Sequence, residues 1–155
     1  MRASPNTPGD NESTNTPSTL YEQIASLCSG WFVVYKIRDN ILALSEPHYY
    51  QGNFSYLVIG AHKALLIDAG ATVKHDIAAA VKTLTDKPIA VLPTHLHFDH
   101  LGGISRFNDV WLADTPALAA FKQTDGSYHV PTTYTFGHLE QLGPTLIKAP
   151  RLIPL

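Results

Sequence analysis

Up to about residue 19 the chain is Ser, Thr, Asn, Pro and Gly with scattered charges, and Met1 and Ala3 are its only hydrophobic members. Such a segment buries too little apolar surface to offset the entropy of ordering it, so residues 1–19 are expected to form a disordered polar tail and residues 20–155 the globular domain. Residues 31–37 and 41–44 are β-rich runs separated by Arg38, Asp39 and Asn40, which predicts a hairpin. Phe54–Ile59 and Ala64–Ile67 predict a second strand pair across Gly60, Ala61, His62 and Lys63, the later strand running into Asp68-Ala69-Gly70. Val73, Ile77, Val81 and Leu84 then recur at helical spacing, with Thr72 placed to cap the helix and Pro88 forbidding continuation much beyond Asp86. Ile89–Leu92 is a short apolar run with Pro on either side, the pattern of a buried strand, and it delivers the chain to Thr94. Residues 110–113 predict another strand, and Asp114-Thr115-Pro116 reads as a cap with Pro in the first turn of a helix over 117–122. Beyond Thr124-Asp125-Gly126 the pattern weakens, and Thr145–Ile147 is at most one more strand before Pro150 and Pro154. Strands alternating with helices predict a layered α/β fold with functional groups on loops at strand ends.

Composition narrows the classes of function. At 155 residues and 45% apolar content the chain makes one domain with a core. Eleven Lys and Arg against 13 Asp and Glu, with no basic run, leave no electrostatic footprint for nucleic acid or an anionic membrane. No stretch approaches the ~18 to 20 apolar residues of a transmembrane helix, and the N-terminus lacks a signal peptide's layout, so a cytoplasmic protein is expected. Cys28 is the sole cysteine, which excludes an internal disulfide, and with no His or second Cys near it in sequence it reads as a structural thiol rather than a nucleophile.

The chemically informative segment is Thr94-His95-Leu96-His97-Phe98-Asp99-His100-Leu101-Gly102-Gly103. It places four metal-capable side chains, His95, His97, Asp99 and His100, directly after a buried strand and before a Gly pair that permits close backbone approach. In an extended loop, residues two apart point to the same side, so His95 and His97 can converge on one ion, with Asp99 and His100 available to a second. Imidazole and carboxylate suit zinc, iron or manganese better than calcium or copper(I), and a pair of such ions would deprotonate a shared water at neutral pH. Solvated loop histidines or a closed structural zinc site would use the same residue types. An Asp in a His-rich, Gly-flanked loop fits an open site better.

The segment resembles the His-x-His-x-Asp-His signature of the metallo-β-lactamase fold superfamily. Its flanks agree: Asp68 resembles the family's acidic residue at the end of an early strand, and residues 53–59 the strand that precedes it. The resemblance implies an αββα sandwich with metals at one edge between two sheets. It makes His95 and His97 ligands of the first metal, Asp99 and His100 ligands of the second, and Asp68 a group that orients ligands without binding. It also implies two zinc ions in a complete site, with iron or manganese possible, and hydrolysis of a small-molecule ester, thioester, amide or phosphoester, Asp99 helping to orient the attacking water. Coverage runs from about residue 30 to 155. A full member adds a third His, a bridging Asp and a last His in the second half of the sandwich, and residues 149–155 resemble the strand leading to that third His. The chain is therefore expected to represent the N-terminal half, with the C-terminal half missing.

Other histidines are weaker candidates. His138 follows a Gly, as the family's third His does, but lies too early and lacks the following Thr/Pro-Gly context, so a loop histidine is the better reading. His129 is weaker still, and His48, His62 and His75 read as solvent-facing or packing groups. Tyr49 and Tyr50 read as core or loop anchors before pocket residues. Two rival readings keep the motif. One is an iron-dependent oxygenase or di-iron protein on the same scaffold. The other is a truncated, catalytically incompetent chain, or one part of a site completed by another chain, because a catalytic zinc normally has three protein ligands plus water. A homodimer covering an open sheet edge is also compatible.

Overall fold

Six strands pair in sequence order into one mixed sheet: β1 (Glu22–Gln23), β2 (Val33–Arg38), β3 (Ile41–Ser45), β4 (Phe54–Ile59), β5 (Ala64–Ile67) and β6 (Ile89–Leu92). The computed structural model describes residues 22–23, 30–135, 145–148 and 150–154; the expected polar tail, Cys28 and His138 lie outside them. Strands β1 to β5 are antiparallel neighbours, whereas β6 joins β5 in parallel, a change of direction that requires the crossover carrying helix α1 (Ile77–Lys82). Helix α2 (Phe98–Leu101) and a 3-10 turn at Ile104–Arg106 follow β6. A single parallel bridge, Val91 to Val110, then leads to β7 (Trp111–Asp114). After helix α3 (Pro116–Ala119) come β8 (Tyr128–Val130) and helix α4 (Thr132–Thr135). Strand β9 (Thr145–Ile147) pairs antiparallel with β8, and β10 (Arg151–Pro154) pairs in parallel with β7. The layered α/β class expected from the sequence is the one observed. Among the described residues, no helix is long and apolar enough to cross a membrane.

Register explains the core. Leu42, Leu57, Leu66, Val91 and Val110 are successive cross-strand partners, forming one row across the sheet, and all five are buried. Each such side chain contributes roughly 1.5–3 kcal/mol when removed from water, so a one-residue slip would turn the whole row outward. Ile77 and Val81 of α1, Leu101 of α2 and Ile104 pack into the same cluster.

Local chemistry moves several predicted boundaries. The hairpin turn is Asp39-Asn40 alone: Arg38 pairs with Ile41, a register irregularity between Lys36 and Arg38 absorbs the difference, and the strand starts at Val33. Helix α1 does not begin after Thr72. Asp76 caps it by accepting from the amide of Ala79 at 2.9 Å, Thr72 instead accepts from Lys74 N at 3.0 Å, and Val73 is exposed. Residues 71–76 are held by other bonds: Arg106 donates to Val73 O at 2.9 Å and to Asp76 Oδ2 at 3.0 Å. Helix α3 opens as expected, Thr115 Oγ1 accepting from Leu118 N at 3.2 Å before Pro116, but it closes at Ala119 instead of reaching Lys122. Lys122 bridges Tyr128, so the chain has already turned toward β8.

The loop after β5 is tied down amide by amide. Asp68 N donates to Leu92 O at 3.1 Å, Ala69 N to His100 O at 2.8 Å, Gly70 N to Ser55 Oγ at 3.1 Å and Ala71 N to Glu46 Oε2 at 2.7 Å. In return, Gly102 N donates to Gly70 O and Gly103 N to Ala69 O, both at 2.8 Å. This approach is why two glycines follow α2. A Cβ on residue 102 would lie 2.6 Å from Thr72 N and 2.8 Å from Gly70 O, and one on residue 103 would lie 2.5 Å from Ile77 Cγ2.

Gly102→Ala should therefore destabilise the fold by about 1–3 kcal/mol, since the atoms it meets are backbone and cannot swing aside; urea unfolding followed by tryptophan fluorescence would measure it, and an unchanged midpoint would contradict the packing. A second outcome concerns Asp109, which accepts from Lys63 Nζ and, at 2.8 Å, from Trp111 Nε1, joining the β4–β5 turn to the start of β7. Lys63 first, and then the Trp111 indole, hold its carboxyl below the ordinary 3.8 despite partial burial. Asp109→Ala should cost about 1–2 kcal/mol at pH 7, the pair being partly solvent-screened. Because the folded-state value is the depressed one, that contribution is complete above pH 3.8 and disappears as pH falls through the lower folded value. Wild type and variant should therefore converge in acid.

Candidate metal centre

Two structural devices bring the motif together. Thr94 to His97 leaves β6 as a bent loop, with His97 itself in the extended region (φ −85°, ψ 158°) at the N-cap of α2. Asp99 and His100 then lie on a helical turn, not on a continuation of the loop, and this turn brings both side chains toward His95. Asn53, just before β4, donates from Nδ2 to Asp99 O at 2.8 Å and fastens this turn from the opposite side.

The result is a compact donor group. One ligand atom each from His95, Asp99 and His100 lies within 4.8 Å of the others. The His95 and His100 rings are 4.0 Å apart between centroids, and His100 Nε2 is 3.3 Å from Asp99 Oδ2. His97 is not in this group of three; its ring stands edge-on to His95 at 4.6 Å and 6.0 Å from Tyr134, and it lines an apolar cavity with His95. His95 and His97 are exposed, whereas Asp99 and His100 are half-buried.

Asp68 is the buried support. It has a left-handed backbone (φ 64°), tolerated by Asp better than by most residues. Its Oδ1 accepts from Thr94 N at 2.7 Å and Thr94 Oγ1 at 2.9 Å, while Oδ2 lies 2.9 Å from His100 Nδ1. Burial pushes its carboxyl up, but His100 and the Thr94 donors outweigh that and leave it below the ordinary value. Burial likewise disfavours protonated His100, yet Asp68 and Asp99 raise it above the ordinary imidazole value. His95 goes the other way: loss of solvent, followed by the His100 and His97 rings, lowers it against the pull of the two carboxylates. The two histidines of one site are thus shifted in opposite directions. Neutral imidazole is the form that ligates.

The other described histidines are elsewhere. His75 stacks on Trp31 at 3.8 Å between centroids, His48 is tilted against the same ring at 5.7 Å, and His62 and His129 are exposed. Tyr49 is buried and Tyr50 exposed, their rings 5.0 Å apart. Sequence reasoning assigned no role to Thr94, Asn53 or Glu46. Glu46 was legible as a lone acid between an apolar strand and Pro47; its buried carboxylate accepts from Trp31 Nε1 at 3.0 Å and from Ala71 N.

Residues 50–116, which include Asp68 and the whole motif, match the metallo-beta-lactamase superfamily. Curated relatives include proteins named acyl-coenzyme A thioesterase MBLAC2. The Gallus gallus protein is 30% identical over 102 residues, covering 59% of this chain and 37% of its own length. The Homo sapiens protein is 28% identical over 104 residues, covering 57% and 37%. The chain thus spans little more than a third of these relatives. Among solved structures, a metallo beta lactamase from Erythrobacter litoralis aligns with a TM-score of 0.47 at 19% identity, over 58% of this chain and 43% of that one. By the superfamily match and these relatives, the chain carries a metallo-beta-lactamase superfamily domain at residues 50–116.

Proposed function

We propose that this chain holds the metal-binding part of a metal-dependent hydrolase whose substrate is a thioester. The observation that carries this reading is the convergence of His95, Asp99 and His100 within 4.8 Å. Two imidazoles and a carboxylate suit zinc, with iron and manganese as the chemical alternatives, and three protein donors are the number a catalytic zinc keeps while leaving a position open. His100 fits the role in a further respect. Its Nδ1 is on the Asp68 carboxylate and its Nε2 on the Asp99 side, the carboxylate–histidine pairing that fixes the tautomer of a ligating imidazole. Bound there, such an ion would supply an acidified water and polarise a substrate carbonyl.

The chain's own residues do the rest. Asp68 and Thr94 hold His100 in orientation, and Asn53 fixes the backbone of Asp99. Asp99 can then present one oxygen as a ligand or direct a water proton. His97, outside the group of three, is the candidate fourth donor or a group at the substrate entrance. The relatives named acyl-coenzyme A thioesterases favour a thioester over the ester, amide or phosphoester the motif alone would allow.

Purified chain dialysed against zinc should retain it by elemental analysis and release thiol from an acyl-N-acetylcysteamine thioester. Chelation should stop the release, and Asp68→Asn should weaken zinc binding by roughly 10–100-fold. His95→Ala and His100→Ala should each abolish retention. Thiol release that survives chelation, or zinc retention indifferent to His100→Ala, would defeat the proposal; purified protein carrying mainly iron and releasing no thiol would favour the oxygenase alternative.

A further inference from the structure

Beside the donor group lies a cavity of about 240 Å³. His95 belongs to both: it is one of the three convergent donors and, with His97, part of the cavity wall. The remaining wall is mainly apolar, built from Leu96 in the motif loop, Leu112 and Ala113 of β7, Ala117 and Leu118 of α3, and Phe121. Among the described residues, no Lys, Arg, Asp or Glu lines it. Thr94 and Thr115 also contribute, the Thr115 hydroxyl accepting from Leu118 N at 3.2 Å. Tyr134 also lines it, edge-on to Phe121 at 5.2 Å and 6.0 Å from the His97 ring, so aromatic rings continue the wall up to the histidines.

These features select a ligand. A phosphate or carboxylate would lose its hydration here and find no cation in return, whereas an alkyl chain loses nothing. Cavities of about 150 Å³ admit benzene, and on that scale 240 Å³ takes roughly eight to ten carbons. We propose that this cavity is the acyl pocket of the site, binding a linear aliphatic chain of that length with its carbonyl end toward His95. The inference rests on the hydrolase reading for the fate of the acyl group, and on the cavity alone for its binding.

The test separates the two. The full chain is titrated by calorimetry with S-ethyl and S-octyl thioethers of N-acetylcysteamine, which carry the alkyl group but no scissile carbonyl. Burial of six further methylenes should favour the octyl compound by at least about 30-fold, a conservative figure against roughly fourfold per methylene. Ala117→Phe, at an exposed position of α3, fills the cavity and should reduce that preference to about threefold or less. Phe121→Ala enlarges the cavity and should move the optimum from octyl to dodecyl. Equal binding of both thioethers by the wild-type chain, or a length profile unmoved by both substitutions, would overturn the pocket. Binding with the expected profile but no hydrolysis of any thioester would leave the pocket standing and remove the hydrolase reading. Hydrolysis of acetyl and octanoyl thioesters at equal rates, with flat thioether binding, would do the reverse.

Discussion

A carboxylate buried at the end of a strand has to be answered by donors, and at Asp68 the answer assembles the site. Left without partners, such a group costs several kcal/mol or gives up its charge. Here the partners come from separate elements: the amide and hydroxyl of Thr94 at the end of β6, and the imidazole of His100 on α2. Satisfying one charge therefore fixes the distance between the ends of two parallel strands and the helical turn that follows them. The left-handed backbone at φ 64° is part of the same constraint, since it aims the side chain across the strand ends instead of along β5. Strain of this kind, about 1–3 kcal/mol, persists only where neighbours over-determine the conformation. Four successive amides bonded to four different segments meet that condition.

The same loop has a second buried carboxylate behind it. Glu46 accepts from Ala71 N and from the Trp31 indole, and Trp31 is in turn covered by His75. Ser55 of β4 takes Gly70 N. Between these supports and the glycine pair of α2, the loop has little freedom to relax if the metal-capable side chains are altered. Stability and site geometry are therefore coupled through one stretch of backbone, to which both His100 O and Gly102 N are bonded.

The strands were legible because their hydrophobic runs reflect burial directly: the row from Leu42 to Val110 comprises positions that must be apolar whatever the loops do. The motif was legible because few arrangements place three histidines and an aspartate in six residues. The helix boundaries were less so. Thr72 and Asp76 are both good caps, and the choice between them is made by Arg106, thirty residues from Asp76, which no local window contains. Grouping of the donors was also hidden. Alternation in an extended loop pairs His95 with His97, whereas the helical turn beginning at Phe98 swings His100 back to His95 and leaves His97 beside the cavity. Thr94 and Asn53 carried no composition signal, because their roles consist of hydrogen bonds to partners that only the fold brings near.

Exposure divides the labour among the four motif residues. His100 and Asp99 are half-buried and bonded to their surroundings, His100 to the buried carboxylate of Asp68. His95 and His97 are exposed, meet each other edge to face and look onto the apolar cavity. A fully buried cluster would hold its donors rigidly but admit no substrate; a fully exposed one would admit substrate but fix nothing. The loop-to-helix junction at His97 resolves this, since it lets one sequence run contribute two residues to each environment. The opposed shifts of His95 and His100 follow from their neighbours, not from any difference between the side chains. Loss of solvent lowers both, but at His95 the His100 and His97 rings add to it, whereas at His100 the carboxylates of Asp68 and Asp99 outweigh it.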